Sequence, residues 1–145
     1  MTTIQPLTMA DAMAYAVLGQ ELFEEKTNKD KLAISLGKII NNPDYILVGA
    51  KDNVGNLLGS VMGIVCLDTV GECRPFMVLE NLIVSEASRK QGLGQKLVEY
   101  IEEEAKKRDC YFVMLMSLAK RKEAHAFYEA LGYSRHISLG FKKYL

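Results

Sequence analysis

Residues 76–84, FMVLENLIV, form a nearly continuous apolar run that is followed by two glycines, at positions 92 and 94, and by an amphipathic helix. The run suits a central strand that is buried on both faces. Leu93, Leu97, Ile101 and Ala105 recur every four residues, which predicts a helix, and residues 102–108 add acid–base pairs on its wet face. A strand, a glycine-containing loop and a helix in this order predict helices packed on a sheet.

The rest of the sequence alternates between strand and helix patterns. Strands are predicted over residues 3–7, 45–51, 57–67 and 111–116, with two short terminal strands around 133–136 and 139–144. Helices are predicted from Thr8 as N-cap to about Glu25, from Asn28 or Lys29 to Asn41, and from about Lys120 to a C-cap at Gly132. The fold class is therefore mixed α/β, with helices on the faces of the sheet.

Composition and charge exclude several classes of protein. The chain has 18 basic and 18 acidic residues, so its formal net charge is zero and it lacks the overall positive charge of a nucleic-acid binder. Its three cysteines form no CxxC pair, so neither a disulfide framework nor a metal site is indicated. No stretch has the pattern of a signal peptide or a membrane span. We expect a cytoplasmic protein with no nucleic-acid or membrane partner, folded as a single domain over residues 1–145, because no repeat or linker interrupts it.

The loop SEASRKQGLG, residues 85–94, leads glycine-rich backbone into the start of a helix. A helix N-terminus has unpaired N–H groups and a partial positive charge, so it can bind phosphate. The segment is not a P-loop, because Gly94 is followed by QKL rather than by K and S or T. It is not a dinucleotide fingerprint either, because Leu97 stands at the position of the third glycine. Either the glycines simply begin a helix or they serve another phosphate ligand.

Positive charges precede two of the predicted helices. Arg89 and Lys90 lie before one helix, and Lys120, Arg121 and Lys122 open another. A cation at a helix N-terminus is disfavoured by the macrodipole, by roughly 0.3–1 kcal/mol when exposed. An anion bound between the two helix starts would explain this placement, and a solvated basic face is the alternative.

Two side chains are candidates for proton transfer. Glu80 lies within the apolar strand, where an unpaired carboxylate costs several kcal/mol, so it either faces a cleft as a general base or forms a structural salt bridge. In the last helix Ala124, Phe127 and Leu131 form the predicted buried stripe, and Tyr128 lies about 100° around the axis from it. Its hydroxyl can therefore reach a cleft, and simple packing is the alternative.

Two stretches resemble the motifs of the GNAT superfamily of acetyl-CoA-dependent N-acetyltransferases. Residues 89–94, RKQGLG, resemble the pyrophosphate loop Q/R-x-x-G-x-G/A that follows the fourth strand of that family. Residues 121–128, RKEAHAFY, followed by Gly132 and Tyr133, resemble its later signature A-x-x-F-Y and G-F/Y. The element order matches over nearly the whole chain. The resemblance implies a GNAT-like fold, with a mostly antiparallel, twisted central sheet of about seven strands and about four flanking helices.

The resemblance also implies a cofactor and its contacts. Acetyl-CoA would be the acetyl donor, its pantetheine arm paired with strand backbone and its pyrophosphate cradled by loop amides. Arg121 stands where many members have an asparagine that contacts the cofactor, and would bind a phosphate instead. The cofactor-binding residues implied in this way are Leu82, Ile83, Val84, Arg89, Lys90, Gln91, Gly92, Leu93, Gly94, Gln95 and Arg121.

The expected reaction is acetyl transfer to a primary amine of a small molecule or peptide in a ternary complex, with no metal. Glu80 is the predicted base for the amine. Tyr128 is the predicted acid for the leaving thiolate, because a tyrosine of ordinary pKa, about 10, is protonated at pH 7. A backbone N–H of Leu82 or Ile83 would stabilise the oxyanion.

Other functions stay open at this point. A non-catalytic acyl-CoA-binding sensor or interaction protein would keep the loop, although the presence of both proton-transfer candidates argues against it. A nucleic-acid module is disfavoured by the neutral charge. The acceptor amine is not identified: Glu21, Glu24 and Glu25 either attract a cationic amine or form a solvated helix face. A homodimer is common in the resembled family and is an open expectation here.

Overall fold

The computed structural model describes residues 1–23 and 25–145. Within these residues five strands form one sheet in the order β1-β2-β3-β4-β5. The strands are β1 Thr3–Pro6, β2 Tyr45–Lys51, β3 Leu57–Cys66, β4 Phe76–Val84 and β5 Val113–Met114, and the helices are α1 Ala12–Gln20, α2 Lys29–Ile40, α3 Leu93–Lys107 and α4 Lys122–Ala130. The first four strands are antiparallel neighbours, and β5 runs parallel to β4. The predicted mixed α/β class with a mostly antiparallel sheet is confirmed.

The helices cover both faces of the sheet. On one face the predicted apolar stripe of α3 is buried against β2, β3 and β4, and α4 packs beside it. The buried residues of α3 are Leu93, Leu97, Val98, Ile101 and Ala105. On the other face α1 and α2 cover a smaller cluster centred on Leu7, Leu36 and Leu47. The central strands are therefore enclosed, as the apolar run of β4 predicts.

The prediction of about seven strands is wrong for the described residues, because the two terminal segments, 133–136 and 139–144, form no strand. Ile137, Leu139 and Phe141 do alternate with polar or small residues, but these side chains are 80–89% exposed. Alternation produces a strand only where a neighbouring strand offers free backbone groups. The strand predicted over residues 111–116 is likewise reduced to Val113 and Met114, where its pairing with β4 stops.

The first helix differs from its predicted bounds at both ends. Thr8 caps a short 3₁₀ turn, Met9–Asp11, which leads into α1, and its amide donates to Asp11 Oδ2 at 2.8 Å. At the other end the amides of Leu22 and Phe23 both donate to the carbonyl of Gly19, so the regular ladder ends before the predicted Glu25. Glu24 lies outside the described residues.

The last helix is shorter than predicted and ends as predicted. It covers Lys122–Ala130 instead of starting at Lys120, because the amide of Arg121 closes a preceding turn by donating to the carbonyl of Leu118. Gly132 has a φ of +94° and its amide donates to Glu129, which is the left-handed C-terminal cap that glycine favours.

Candidate functional site

The candidate site lies where β5 stops pairing with β4. The two strands pair only at Met77–Val113 and Val78–Met114, and the amide of Met77 also donates to the carbonyl of Phe112. From Leu79 to Val84, β4 has no strand partner on this side within the described chain. Unpaired backbone groups along a strand can bind an extended ligand in the way that they bind another strand.

A β-bulge interrupts this part of β4. The register pairs Met62 with Glu80 and Ser60 with Ile83, so two residues of β4 lie opposite the single residue Val61 of β3. The first of the two is Asn81, which has a φ of +51°. A bulge inserts one residue and shifts the alternation of side chains along the strand.

The shift is visible in which side chains of β4 pack toward α3. Before the bulge these are the odd-numbered Met77 and Leu79, and after it they are the even-numbered Leu82 and Val84. An unbroken strand would alternate with a period of two throughout. The bulge therefore lets the apolar side chains keep one face while an extra polar residue is accommodated.

Glu80 lies on the opposite face of β4, toward α1 and α2. It is the cross-strand partner of Met62, which packs against the cluster under these helices, and cross-strand partners share a face. Tyr15 of α1 lies beside Asn81 on the same face. Burial raises the pKa of Tyr15, and the nearby Asn81 side chain opposes this by hydrogen bonding. A carboxylate in an apolar strand marks Glu80 in the sequence, but no such signal marks Tyr15, whose spacing in α1 looks like ordinary packing.

The backbone of β4 after the bulge alternates between β3 and the unpaired side. The amide of Ser85 donates to Leu58 of β3, so Ile83, two residues earlier, also directs its backbone groups to β3. Leu82 and Val84 then direct theirs away from β3. The carbonyl of Val84 accepts from Arg89 Nε at 3.1 Å, which agrees with this direction.

The start of α3 presents free backbone amides. Gly92 is the N-cap with a φ of +75°, and no side chain caps the helix. The amide of Lys96 donates to the carbonyl of Gly92 at 3.2 Å, so the amides of Leu93, Gly94 and Gln95 come before the first helical bond. The predicted phosphate loop therefore has the geometry of an anion site.

Tyr128 of α4 lies half-buried among aromatic rings, with ring centroids 5.2 Å from Phe127 and 6.0 Å from Tyr133. Burial raises the pKa of Tyr128; the Arg121 guanidinium opposes this and the Glu80 carboxylate adds to it. Its hydroxyl makes no hydrogen bond with any other described residue. Tyr128 belongs to the α3 face and Glu80 to the α1 face, so the two approach β4 from opposite sides.

The basic residues divide into two groups. The side chains of Lys90 and Arg121 are exposed, and the stretch from Lys120 to Ala124 lines an open cavity of about 360 Å³. Arg89 is also exposed, but its guanidinium donates to Val84 and lies 3.8 Å from a carboxylate oxygen of Glu21. Arg89 therefore already interacts with two groups of its own chain.

Glu21 contacts a distant part of the chain, which its sequence position does not indicate. Its Oε2 accepts a hydrogen bond of 2.6 Å from the amide of Glu86, 65 residues along the chain. The sequence carries no local signal for a contact at this separation. Both Glu21 and Glu25 are exposed, but Glu21 accepts a hydrogen bond from the backbone of its own chain.

The described residues contain no helix that could cross a membrane. They also contain no group of three His, Cys, Asp or Glu side chains arranged to hold a metal ion.

Solved structures with the same fold are numerous. Glucosamine-6-phosphate N-acetyltransferase from Arabidopsis thaliana has a TM-score of 0.87 and 21% identity, over 99% of this chain and 98% of that one. A transcriptional regulator from Bacillus halodurans C-125 has a TM-score of 0.89 and 23% identity over 100% of both chains. The structure of AAC(6')-Iy in complex with the bisubstrate analog CoA-S-monomethyl-acetylneamine has a TM-score of 0.84 and 16% identity, over 100% of this chain and 99% of that one. At these identities the likeness shows the fold.

The family follows from the sequence itself. No curated protein matches the chain. The family model described as Acetyltransferase (GNAT) family matches residues 11–133, a range that includes the bulged strand, the glycine loop and α4. The chain belongs to the GNAT acetyltransferase family.

Proposed function

We propose that this protein transfers the acetyl group of acetyl-CoA to a primary amine of a small molecule or peptide, by direct attack in a ternary complex. One observation carries the proposal: the unpaired half of β4 is followed, after the loop of residues 85–92, by the N-terminus of α3, which no side chain caps. An extended amide-containing arm that ends in phosphates fits such a surface, because it can pair with a strand and then reach a helix start.

The cofactor contacts follow from this arrangement. The backbone of Leu82 and the amide of Val84 face the gap and would pair with the pantetheine arm, while Ile83 between them is held to β3 and the carbonyl of Val84 accepts from Arg89. The segment from Lys90 to Gln95 would supply amides to the pyrophosphate, and the exposed Arg121 would supply a charge. Support for CoA as the ligand comes from the similar AAC(6')-Iy fold, which was solved with a CoA-containing bisubstrate analog.

The proton transfers use the two faces of β4. Glu80 would take the proton of the amine on the α1 side, and Tyr128 would give a proton to the departing thiolate from the α4 side. The raised pKa of Tyr128 keeps its hydroxyl protonated at neutral pH. The amide of Leu82, which faces the gap, would donate to the oxyanion. Holding both reactants in one site supplies much of the remaining acceleration.

The test has two parts. Calorimetry should show acetyl-CoA binding, and acetyl-CoA should raise the melting temperature because only the folded loop presents the amides. A thiol-release assay with a panel of amines should then identify acceptors by CoA formation. Absence of binding at millimolar acetyl-CoA would overturn the proposal.

A second candidate is a non-catalytic acyl-CoA-binding regulator. The observation in its favour is the similarity to the chain described as a transcriptional regulator from Bacillus halodurans C-125. The two candidates differ in turnover: a regulator would bind acetyl-CoA tightly and release no thiol with any amine in the panel.

A further inference from the structure

The short 3₁₀ turn Glu86–Ser88 connects β4 to the glycine loop, and it lacks a cap from its own sequence. Ser85 is its N-cap residue, and the serine side chain makes no capping hydrogen bond. The first amide of the turn, that of Glu86, donates instead to Oε2 of Glu21 at 2.6 Å. Glu21, at the end of α1, thus caps the first amide of a turn that lies 65 residues away in the sequence.

The same carboxylate oxygen also approaches Arg89. The guanidinium of Arg89 lies 3.8 Å from Glu21 and donates through Nε to the carbonyl of Val84 at 3.1 Å. One carboxylate therefore contacts the connection at its beginning, Glu86, and just past its end, Arg89. Both contacts are made to the segment between β4 and the start of α3.

We propose that Glu21 is a positioning residue that holds the loop from Arg89 to Gly94 in its phosphate-binding conformation. The proposal rests on the proposed function for the identity of the ligand. It assigns the effect to the hydrogen bond with the Glu86 amide, and not to the negative charge. A charge near a phosphate site would weaken the binding of an anionic cofactor, so the two origins predict effects of opposite sign.

Three variants separate these origins. Glu21→Ala removes the acceptor and the charge, Glu21→Gln removes the charge and keeps an acceptor oxygen, and Glu25→Gln removes a nearby exposed charge as the matched control. By calorimetry we expect Glu21→Ala to raise the Kd of acetyl-CoA about tenfold, the size of one lost hydrogen bond. Glu21→Gln and Glu25→Gln should leave the Kd within about twofold. The kcat of Glu21→Ala at saturating cofactor should match that of the unchanged protein, because neither proton-transfer residue is touched.

Hydrogen exchange of the free protein gives a readout that needs no cofactor. The Glu86 amide should exchange slowly in the unchanged chain and in Glu21→Gln, and at least tenfold faster in Glu21→Ala. This result would stand even if acetyl-CoA did not bind, so failure of the proposed function and failure of this proposal can be told apart. An unchanged or lower Kd in Glu21→Ala, equal effects of Glu21→Ala and Glu21→Gln, or unaltered exchange at Glu86 would each overturn it.

Discussion

Gly94 and Phe127 lie in direct contact: a β carbon built on Gly94 would be 3.3 Å from Cζ of Phe127. Gly94 belongs to the first turn of α3 and Phe127 precedes Tyr128 in α4. The first turn of α3, at the proposed phosphate site, and the residue before the proposed acid therefore pack against each other.

This contact predicts different results for the two glycines of the loop. Gly94→Val should destabilise the protein by about 1–3 kcal/mol, because the added methyl groups displace Phe127. It should also lower kcat, since Tyr128 moves with the helix. Gly92→Ala should cost about 1–2 kcal/mol through its φ of +75° alone, because no atom lies within 4 Å of the added β carbon. Urea unfolding and steady-state kinetics of both variants measure this difference, and equal effects on kcat would contradict it.

Tyr128→Phe tests the proposed acid. The aromatic packing against Phe127 and Tyr133 is retained, so stability and the Kd of acetyl-CoA should hardly change. The kcat should fall by roughly 10²–10⁴, the usual span for a general acid. Single-turnover kinetics should be used, because slow product release can hide a slower chemical step. A normal single-turnover rate would show that Tyr128 contributes packing and does not donate the proton.

Glu80→Gln tests the proposed base and should give a different pH dependence. The variant should lose most activity at neutral pH and recover part of it at high pH, where more of the amine is already neutral. Tyr128→Phe should show no such recovery. The measurement compares the pH dependence of activity of the two variants with one acceptor amine. A loss of activity in Glu80→Gln that does not depend on pH would indicate a structural role for Glu80.

Charge removal should separate Lys90 and Arg121, whose side chains make no hydrogen bond or ion pair with another described residue, from Arg89, which is bonded to Val84 and lies near Glu21. Lys90→Ala and Arg121→Ala should raise the KM for acetyl-CoA, by less at high ionic strength, because exposed charges are screened by salt. Lys143→Ala, in the exposed C-terminal segment, is the control. Arg89→Ala should raise KM with a weaker dependence on salt, since this side chain is bonded to Val84. An unchanged KM in both Lys90→Ala and Arg121→Ala would show that these side chains are solvated surface charges that do not contact the cofactor.

The Asp11–Lys51 ion pair predicts an acid-dependent stability. Its atoms lie 2.6 Å apart and the two side chains are only 12–14% exposed. Burial by itself would raise the pKa of Asp11, but hydrogen bonds from Lys51 and Thr8 outweigh it and lower the pKa below 3.8. The stabilisation is therefore present above the unfolded pKa and is lost as the pH falls through the folded one.

Asp11→Asn should consequently cost about 2 kcal/mol at pH 7 and less at pH 3, which lies below the unfolded pKa. Urea unfolding at the two pH values measures the difference. Asp52→Asn in the exposed β2–β3 turn is a useful comparison, because its carboxylate also accepts hydrogen bonds but lacks a buried cation. Equal losses at both pH values would show that Asp11 acts through packing.

Sequence patterns predict the parts of this protein in which local spacing and burial agree. The stripe of α3 is such a case, and so is the cap at Gly132. The motifs also locate Glu80 and Tyr128 on their elements, because a carboxylate in an apolar strand and a tyrosine beside a buried stripe are local signals.

The missed features depend on contacts between distant residues. The terminal segment around Leu139 has the alternation of a strand, but it pairs with no strand of the described chain. Glu21 looks like any acidic residue at a helix end, and only the fold brings it to Glu86. The amide directions of Leu82 and Ile83 likewise follow from the register with β3, which no local pattern contains.

The bulge makes Asn81 a supernumerary residue. If it were deleted, Met77, Leu79, Leu82 and Val84 would fall on one face of a regular strand with unbroken alternation. The sheet could thus be built from a sequence one residue shorter, with the same core and without the left-handed backbone at this position. Asn81 lies three residues beyond Val78, the last residue of β4 that pairs with β5. The extra residue therefore adds a left-handed peptide unit to the unpaired half of β4 while the apolar side chains keep their common face.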